Sequence, residues 1–194
     1  MDEIVKYKIT RKVCKFNKLK QKLKSKIYFD EQIYFYKYQG LIREKIIEYK
    51  FGDKPYLYKM FSEMILDEKL QLFCENYDVI IPVPIDKKRM NNRGYNQTYL
   101  IAKELVKNLK NIKLENKVLY KSKSIKPQST MNSKEDRISN IKGVFSISNS
   151  YVVNKKRVII FDDIFTTGST VNECAKVLKQ SGVKKVGIIT IAKD

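Results

Sequence analysis

Apolar positions follow two rhythms along this chain. After Gly40, Leu41, Ile42, Ile46 and Tyr49 recur with Lys45 at three- and four-residue steps. That spacing predicts a helix, broken by Gly52-Asp53-Lys54-Pro55. A second helix is expected over 56–70. Residues 28–36 read as two short strands around a polar turn. From Tyr77 the character changes. The runs 77–81 and 157–161 are nearly continuously apolar, which suits strands buried on both faces. A polar loop follows the first run. A helix over 96–110 then places Ile101 and Leu105, with Ala102, Val106 and Leu109, on one side. Residues 117–120 and 143–147 read as strands, 170–181 as a helix ended by Gly182, and 185–192 as the last strand. Such alternation argues an α/β fold, a mostly parallel sheet with helices on both faces. The expected division is a small N-terminal lobe over 1–70 and the α/β domain over 71–194.

Composition removes several chemistries. There is no His, so a Ser-His-Asp triad, a Cys-His dyad and imidazole metal ligation are excluded. Cys14, Cys74 and Cys174 contain no C-x-x-C pair and cannot supply a four-thiolate zinc site, so no zinc is expected. Free thiols suit a reducing cytoplasm. No signal peptide opens the sequence, and the longest apolar stretch, 79–85, is far below the roughly 20 residues of a spanning helix. The expectation is a soluble cytoplasmic protein with no transmembrane segment.

Charge adds a second question. There are 40 Lys+Arg against 21 Asp+Glu, a net +19. Residues 6–26 carry ten basic residues and no acidic one, and 103–126 add eight Lys against Glu104 and Glu115. Lysine clusters neutralise phosphates, which makes Lys18, Lys20, Lys22 and Lys24 candidate contacts to nucleic acid. Tyr7, Phe16, Tyr28 and Phe29 could stack on bases or fill the core of the lobe. A chain rich in Lys, Ile, Asn and Tyr also fits an AT-rich genome, and charge alone does not separate these readings.

The sharpest chemistry lies at 158–170, Val-Ile-Ile-Phe-Asp-Asp-Ile-Phe-Thr-Thr-Gly-Ser-Thr. A buried strand delivers Asp162 and Asp163 toward its C-terminal end, where open α/β sheets bind ligands. Thr166, Thr167, Gly168, Ser169 and Thr170 then open a helix with backbone N–H groups, hydroxyls and the positive end of its dipole, the parts of a phosphate cradle. Carboxylates beside a phosphate site need another task, and vicinal ribose hydroxyls provide one. There is neither a G-x-x-x-x-G-K-[ST] loop nor a G-x-G-x-x-G fingerprint. A second constellation spans 81–97. Its strand ends in a turn stiffened by Pro82 and Pro84 and carrying Lys87, Lys88, Arg89 and Arg93, with Gly94 free to take a positive φ. These cations can meet a polyanion such as pyrophosphate, or form a basic surface loop.

Residues 158–170 resemble the 5-phosphoribosyl-1-pyrophosphate (PRPP) motif of type I phosphoribosyltransferases. The pattern P-x-P-x(4)-K-R-x(3)-R-G-[FY]-N-Q over 82–97 resembles the ComF family, named for a late competence protein of bacterial DNA uptake. Gln128, Arg137, Asn140 and Phe145 agree with that family's Q…R-x-x-N-x-x-x-x-F signature. So do Tyr38-x-Gly40-x-x-Arg43 and Lys50-Phe51-Gly52-Asp53. The resemblance covers about residues 34–194.

It implies that Asp162 and Asp163 hold the ribose hydroxyls, directly or with Mg²⁺, and that 166–170 hold the 5′-phosphate. Val83, Pro84, Lys88, Arg89 and Arg93 would face the pyrophosphate. Magnesium would enter mainly on PRPP. Residues 126–137 would be a mobile cover, with Arg137 as its catalytic cation. Many members begin with a four-Cys zinc module, of which only Cys14 remains here. The function implied is PRPP binding, with phosphoribosyl transfer to an unidentified acceptor. The alternative is a non-catalytic factor that handles single-stranded DNA at the inner face of the membrane, beside a helicase-like competence partner. No sequence feature marks a nucleobase pocket.

Overall fold

The computed structural model describes residues 14–15, 26–123 and 140–194. In chain order the elements are β1 (Cys14–Lys15), β2 (Glu31–Lys37), α1 (Gly40–Phe51), α2 (Leu57–Ile65), α3 (Glu68–Cys74), β3 (Val79–Pro82), α4 (Lys87–Arg93), α5 (Gln97–Leu105), β4 (Lys113–Leu114), β5 (Leu119–Lys121), β6 (Phe145–Ile147), β7 (Arg157–Phe165), α6 (Ser169–Gln180) and β8 (Lys185–Lys193). One sheet has the order β1-β2-β8-β7-β3-β4, while β5 and β6 form a separate antiparallel pair. β2, β8, β7, β3 and β4 run parallel, and β1 joins the edge antiparallel.

The central strands separate two cores by simple alternation of side chains. Ile159, Phe161, Ile189 and Ile191 face one way, against Ile42, Ile46 and Tyr49 of α1, Phe61 and Ile65 of α2, Leu70 of α3, and Ile101 and Leu105 of α5. Val158, Ile160, Val186 and Ile188 face the other way. There they meet Val171, Cys174, Ala175 and Leu178 of α6, and Leu119 and Phe145 of the β5–β6 pair. Both faces are thus covered, as the continuous apolar runs imply. Among the described residues no helix is long and apolar enough to cross a membrane.

Four expectations need correction. Residues 28–36 do not form two strands around a turn, because Asp30 and Glu31 find partners inside the fold. The Asp30 carboxylate accepts from Val186 N at 2.7 Å and from Lys179 at 2.8 Å. Buried Glu31 accepts from the Tyr77 hydroxyl at 2.6 Å and pairs with Lys185 at 2.7 Å. The segment therefore continues as β2. The helix expected over 56–70 is two helices, since Asp67 takes an extended backbone and caps α3 by accepting from Leu70 N. The polar loop after β3 contains α4. Asp86 starts it by accepting from Arg89 N, and Gly94 stops it at φ 75°. Finally, no seam falls at residue 70: β2 lies inside the main sheet, and α1 to α3 share one core with β7 and β8. Most of the basic 1–25 segment lies outside the described residues.

A packing detail fixes β8 against α3. Gly187 sits beneath Phe73 and Tyr77, and a Cβ there would overlap the Tyr77 hydroxyl and ring carbon. Gly187→Ala is expected to displace Tyr77, loosen its bond to Glu31 and cost about 1–3 kcal/mol as overpacking. Thermal denaturation checks this, and an unchanged midpoint would contradict it.

Candidate active site

The chain's connections part between β3 and β7. β3 leads to β4 on one side of the sheet, and β7 leads to β8 on the other. A crevice outside the C-terminal ends of two such neighbours is where open α/β sheets place ligands.

One side of the crevice is built by the turn from β7 into α6. Asp162, Ile164 and the continuous stretch 165–171 line one small concavity. Gly168 is the N-cap of α6 at φ 73°. Its Cβ would also strike the Phe165 ring, so glycine is required by both conformation and space. Thr167 Oγ1 lies 2.9 Å from Ser169 Oγ, which aligns two hydroxyls at the mouth. α6 has no acidic residue in its first turn, so its dipole end is left positive toward an anion. Asn172 anchors the turn from behind, accepting from Tyr28 N at 2.8 Å and donating to the Lys26 carbonyl at 3.0 Å.

Asp162 and Asp163 are successive residues of β7 and therefore differ in surroundings. Asp163 pairs with Lys50 of α1 at 2.7 Å. Asp162 accepts from the Asp163 N–H at 2.9 Å. Burial, followed by the charge of Asp163, pushes the Asp162 carboxyl up to about 7. Lys50, the Asp163 N–H and Lys121 act in the opposite direction.

The other side comes from the turn after β3. Val83 anchors it: its N–H donates to the Phe161 carbonyl at 2.9 Å, and its carbonyl accepts from Asn96 and Thr98 at 3.1 and 2.8 Å. The Val83 N–H is thus committed to the sheet, so its place in the site is that of a strut. Pro84 has no N–H to offer. On α4, Arg89 and Arg93 are four residues apart and share a face, while Lys88 is exposed to solvent. Arg89 Nε lies 3.4 Å from Asp86 Oδ2. Arg93 covers the Phe51 ring, its guanidinium carbon 5.2 Å from the centroid. Burial lowers the Arg93 pKa, against the opposing pull of Asp163.

Two participants escaped the sequence reading. Lys121, at the end of β5, has a nearly buried side chain whose ammonium lies 3.8 Å from Asp86 and 5.7 Å from the Phe145 ring centroid. Burial lowers its pKa, with Arg89 adding to the effect; Asp86, Cys174 and Asp162 favour its charge. Nothing distinguishes it in sequence from the other lysines around it. Lys50 lies in the Lys50-Phe51-Gly52-Asp53 motif, which by itself implies no role for its ammonium. Together Lys50, Arg89, Arg93 and Lys121 set four cations against Asp86, Asp162 and Asp163. Arg137 with the segment 126–137, and Lys18, Lys20, Lys22 and Lys24, lie outside the described residues. β5 and β6 are the strands that flank the segment carrying Arg137.

Comparison with known proteins identifies the family of the chain. A family model described as a phosphoribosyl transferase domain matches residues 96–194. Competence protein F of Haemophilus influenzae is 35% identical over 126 residues, covering 60% of this chain and 50% of that protein. Competence protein ComFC of Bacillus subtilis is 25% identical over 149 residues, covering 76% of this chain and 57% of that protein. The chain thus spans only about half the length of these curated relatives. A solved hypoxanthine-guanine phosphoribosyltransferase of Bacillus anthracis aligns at 13% identity and a TM-score of 0.43, over 74% of this chain and 70% of that one. With the family model covering half its length and ComF-type proteins among its relatives, the chain belongs to the phosphoribosyl transferase domain family as a ComF/ComFC-like member.

Proposed function

We propose that this protein binds PRPP across the β3–β7 crevice and transfers its phosphoribosyl group to an acceptor. One observation carries the reading: a phosphate turn, two carboxylates and a cluster of cations converge at the ends of two adjacent strands. In this reading Thr167, Ser169, Thr170 and the first N–H groups of α6 hold the 5′-phosphate. Asp162 and Asp163 accept hydrogen bonds from the ribose hydroxyls, with Lys50 orienting Asp163. Lys88, Arg89, Arg93 and Lys121 receive the diphosphate. As the C1′–O bond breaks, diphosphate leaves with the electron pair, and these cations stabilise its growing charge. The acceptor's lone pair forms the new bond at C1′, and its proton passes to solvent or a neighbouring base.

Among the described residues no cluster of three or more metal-ligating side chains occurs. The donor set still fits magnesium, which keeps water and takes one or two carboxylates beside substrate phosphates. Asp162 and Asp163 would hold it, and it would neutralise part of the diphosphate charge.

A second reading draws on the +19 net charge and on relatives named for competence and DNA utilization. Here the protein handles single-stranded DNA without catalysis, and the crevice serves as a ligand sensor. Its binding should collapse as salt rises. Lys18, Lys20, Lys22 and Lys24 changed together to Glu should weaken it, as fluorescence anisotropy with a single-stranded oligonucleotide would record. Unchanged binding at low salt would remove those lysines from the account.

Asp162→Asn with Asp163→Asn should lower PRPP affinity about 10- to 150-fold per carboxylate, from hydrogen bonds to charged groups of about 1.5–3 kcal/mol. DNA binding should persist or strengthen. Calorimetry with PRPP and Mg²⁺ checks the first, and circular dichroism confirms folding. Unchanged PRPP affinity would contradict the site.

Asp162 also predicts a pH dependence. The native state keeps its proton up to about pH 7, whereas the unfolded chain releases it near about pH 4. Stability therefore falls as pH rises through that window. Asp162→Asn should be about as stable as the native protein near pH 4 and more stable by about 1–3 kcal/mol above pH 7. Urea unfolding at the two pH values measures this difference, and an equal difference at both would refute the buried proton.

A further inference from the structure

The phosphate and diol groups have places in the crevice, but a nucleobase needs a flat apolar surface nearby. Phe51, the last residue of α1, is 70% exposed. The Arg93 guanidinium lies over its ring. Lys50, its neighbour in sequence, reaches Asp163 at 2.7 Å, which places the ring one residue from the diol carboxylate's partner.

The ring is also held on a rigid support. The Tyr49 hydroxyl donates to the Gln97 carbonyl at 3.1 Å, and the Tyr95 hydroxyl donates to the Tyr49 carbonyl at 2.6 Å. The Tyr49 ring packs on Phe61 and Tyr95 at centroid distances of 5.4 and 5.7 Å. These bonds fix the end of α1 to the segment that follows α4, and hence fix Phe51 relative to Arg93. A large aromatic ring kept in water on a fixed support, with a guanidinium above it, forms a planar step that suits a heterocycle.

We infer that Phe51 and Arg93 form the stacking platform for a nucleobase at the rim of the crevice. This rests on the reading of 162–170 as a ribose-phosphate site. Arg93 thereby lies over the Phe51 ring and within the electrostatic reach of Asp163, and it links the base to the diphosphate side. The base is supplied either by a nucleotide or free acceptor, or by single-stranded DNA.

The test uses the full chain, Phe51→Ala and Phe51→Tyr, each titrated with Mg²⁺ and either ribose 5-phosphate or adenosine 5′-monophosphate. The native protein should bind the nucleotide more tightly than the sugar phosphate. Phe51→Ala should weaken the nucleotide about 5- to 150-fold, the range of one base–aromatic stack, and should leave ribose 5-phosphate within about twofold, an effect near zero on the same scale. Phe51→Tyr, which keeps the ring, should retain nucleotide affinity. Short oligothymidine distinguishes the source: a parallel loss in Phe51→Ala assigns the platform to single-stranded DNA, and no loss assigns it to a nucleotide or free base. Equal affinity of the native protein for both small ligands, or equal affinity of all three proteins for the nucleotide, would overturn the platform while leaving the phosphate site intact. No binding of ribose 5-phosphate or nucleotide by the folded native protein would overturn both.

Discussion

Two carboxylates at the end of a buried strand are the constraint around which the rest is arranged. Burial, followed by the charge of adjacent Asp163, disfavours ionisation of Asp162. The fold gathers four cations around the two carboxylates from three separate elements. Lys50 comes from α1, Arg89 and Arg93 from α4, and Lys121 from β5. Each has a packing requirement of its own. The end of α1 is tied to 95–97, α4 is capped by Asp86, and the β5–β6 pair covers the α6 face. The cations repel one another as well, which gives Asp86 its place beside Arg89 and Lys121. The four cations outnumber the three carboxylates and leave spare positive charge for a polyanion.

Much of this was legible in the chain. The strand 157–161, the helix opened by the Thr-Thr-Gly-Ser turn, and the strand ending at Pro82 follow from local pattern and from the needs of a phosphate turn. What stayed hidden depended on distant partners. Glu31 and Gln32 look like turn residues, yet Glu31 has buried Tyr77 and half-buried Lys185 as partners, and the segment becomes an inner strand. Lys87 to Arg93 looks like a loop because its cations have no apolar stripe. Asp86 and Gly94 are the cap and stop that make it helical. Lys121 is one lysine among many until the sheet places it near Asp86 and Asp162. The stacking geometry of Phe51 likewise requires Arg93, which lies 42 residues later in the chain.

Membership in the phosphoribosyl transferase domain family establishes the domain type without establishing transfer. The arrangement of the crevice narrows the choice. A merely basic surface would hold any phosphate by long-range attraction, which also steers ligands toward a positive cleft. In the proposed reading the crevice separates its tasks, with a turn for one phosphate, carboxylates for hydroxyls and cations for the other phosphates. Charge outside the crevice is then free to serve a different ligand, and PRPP binding and DNA handling can coexist in one chain.

The central claim is that PRPP is recognised at both of its ends, and phosphorus NMR of PRPP with Mg²⁺ and increasing protein reads both directly. The account predicts saturable shifts of the 5′-phosphate and diphosphate resonances with a common midpoint, persisting as salt is raised. A shift confined to the diphosphate and abolished by salt would contradict it, because that is the behaviour of a basic surface without a phosphate turn.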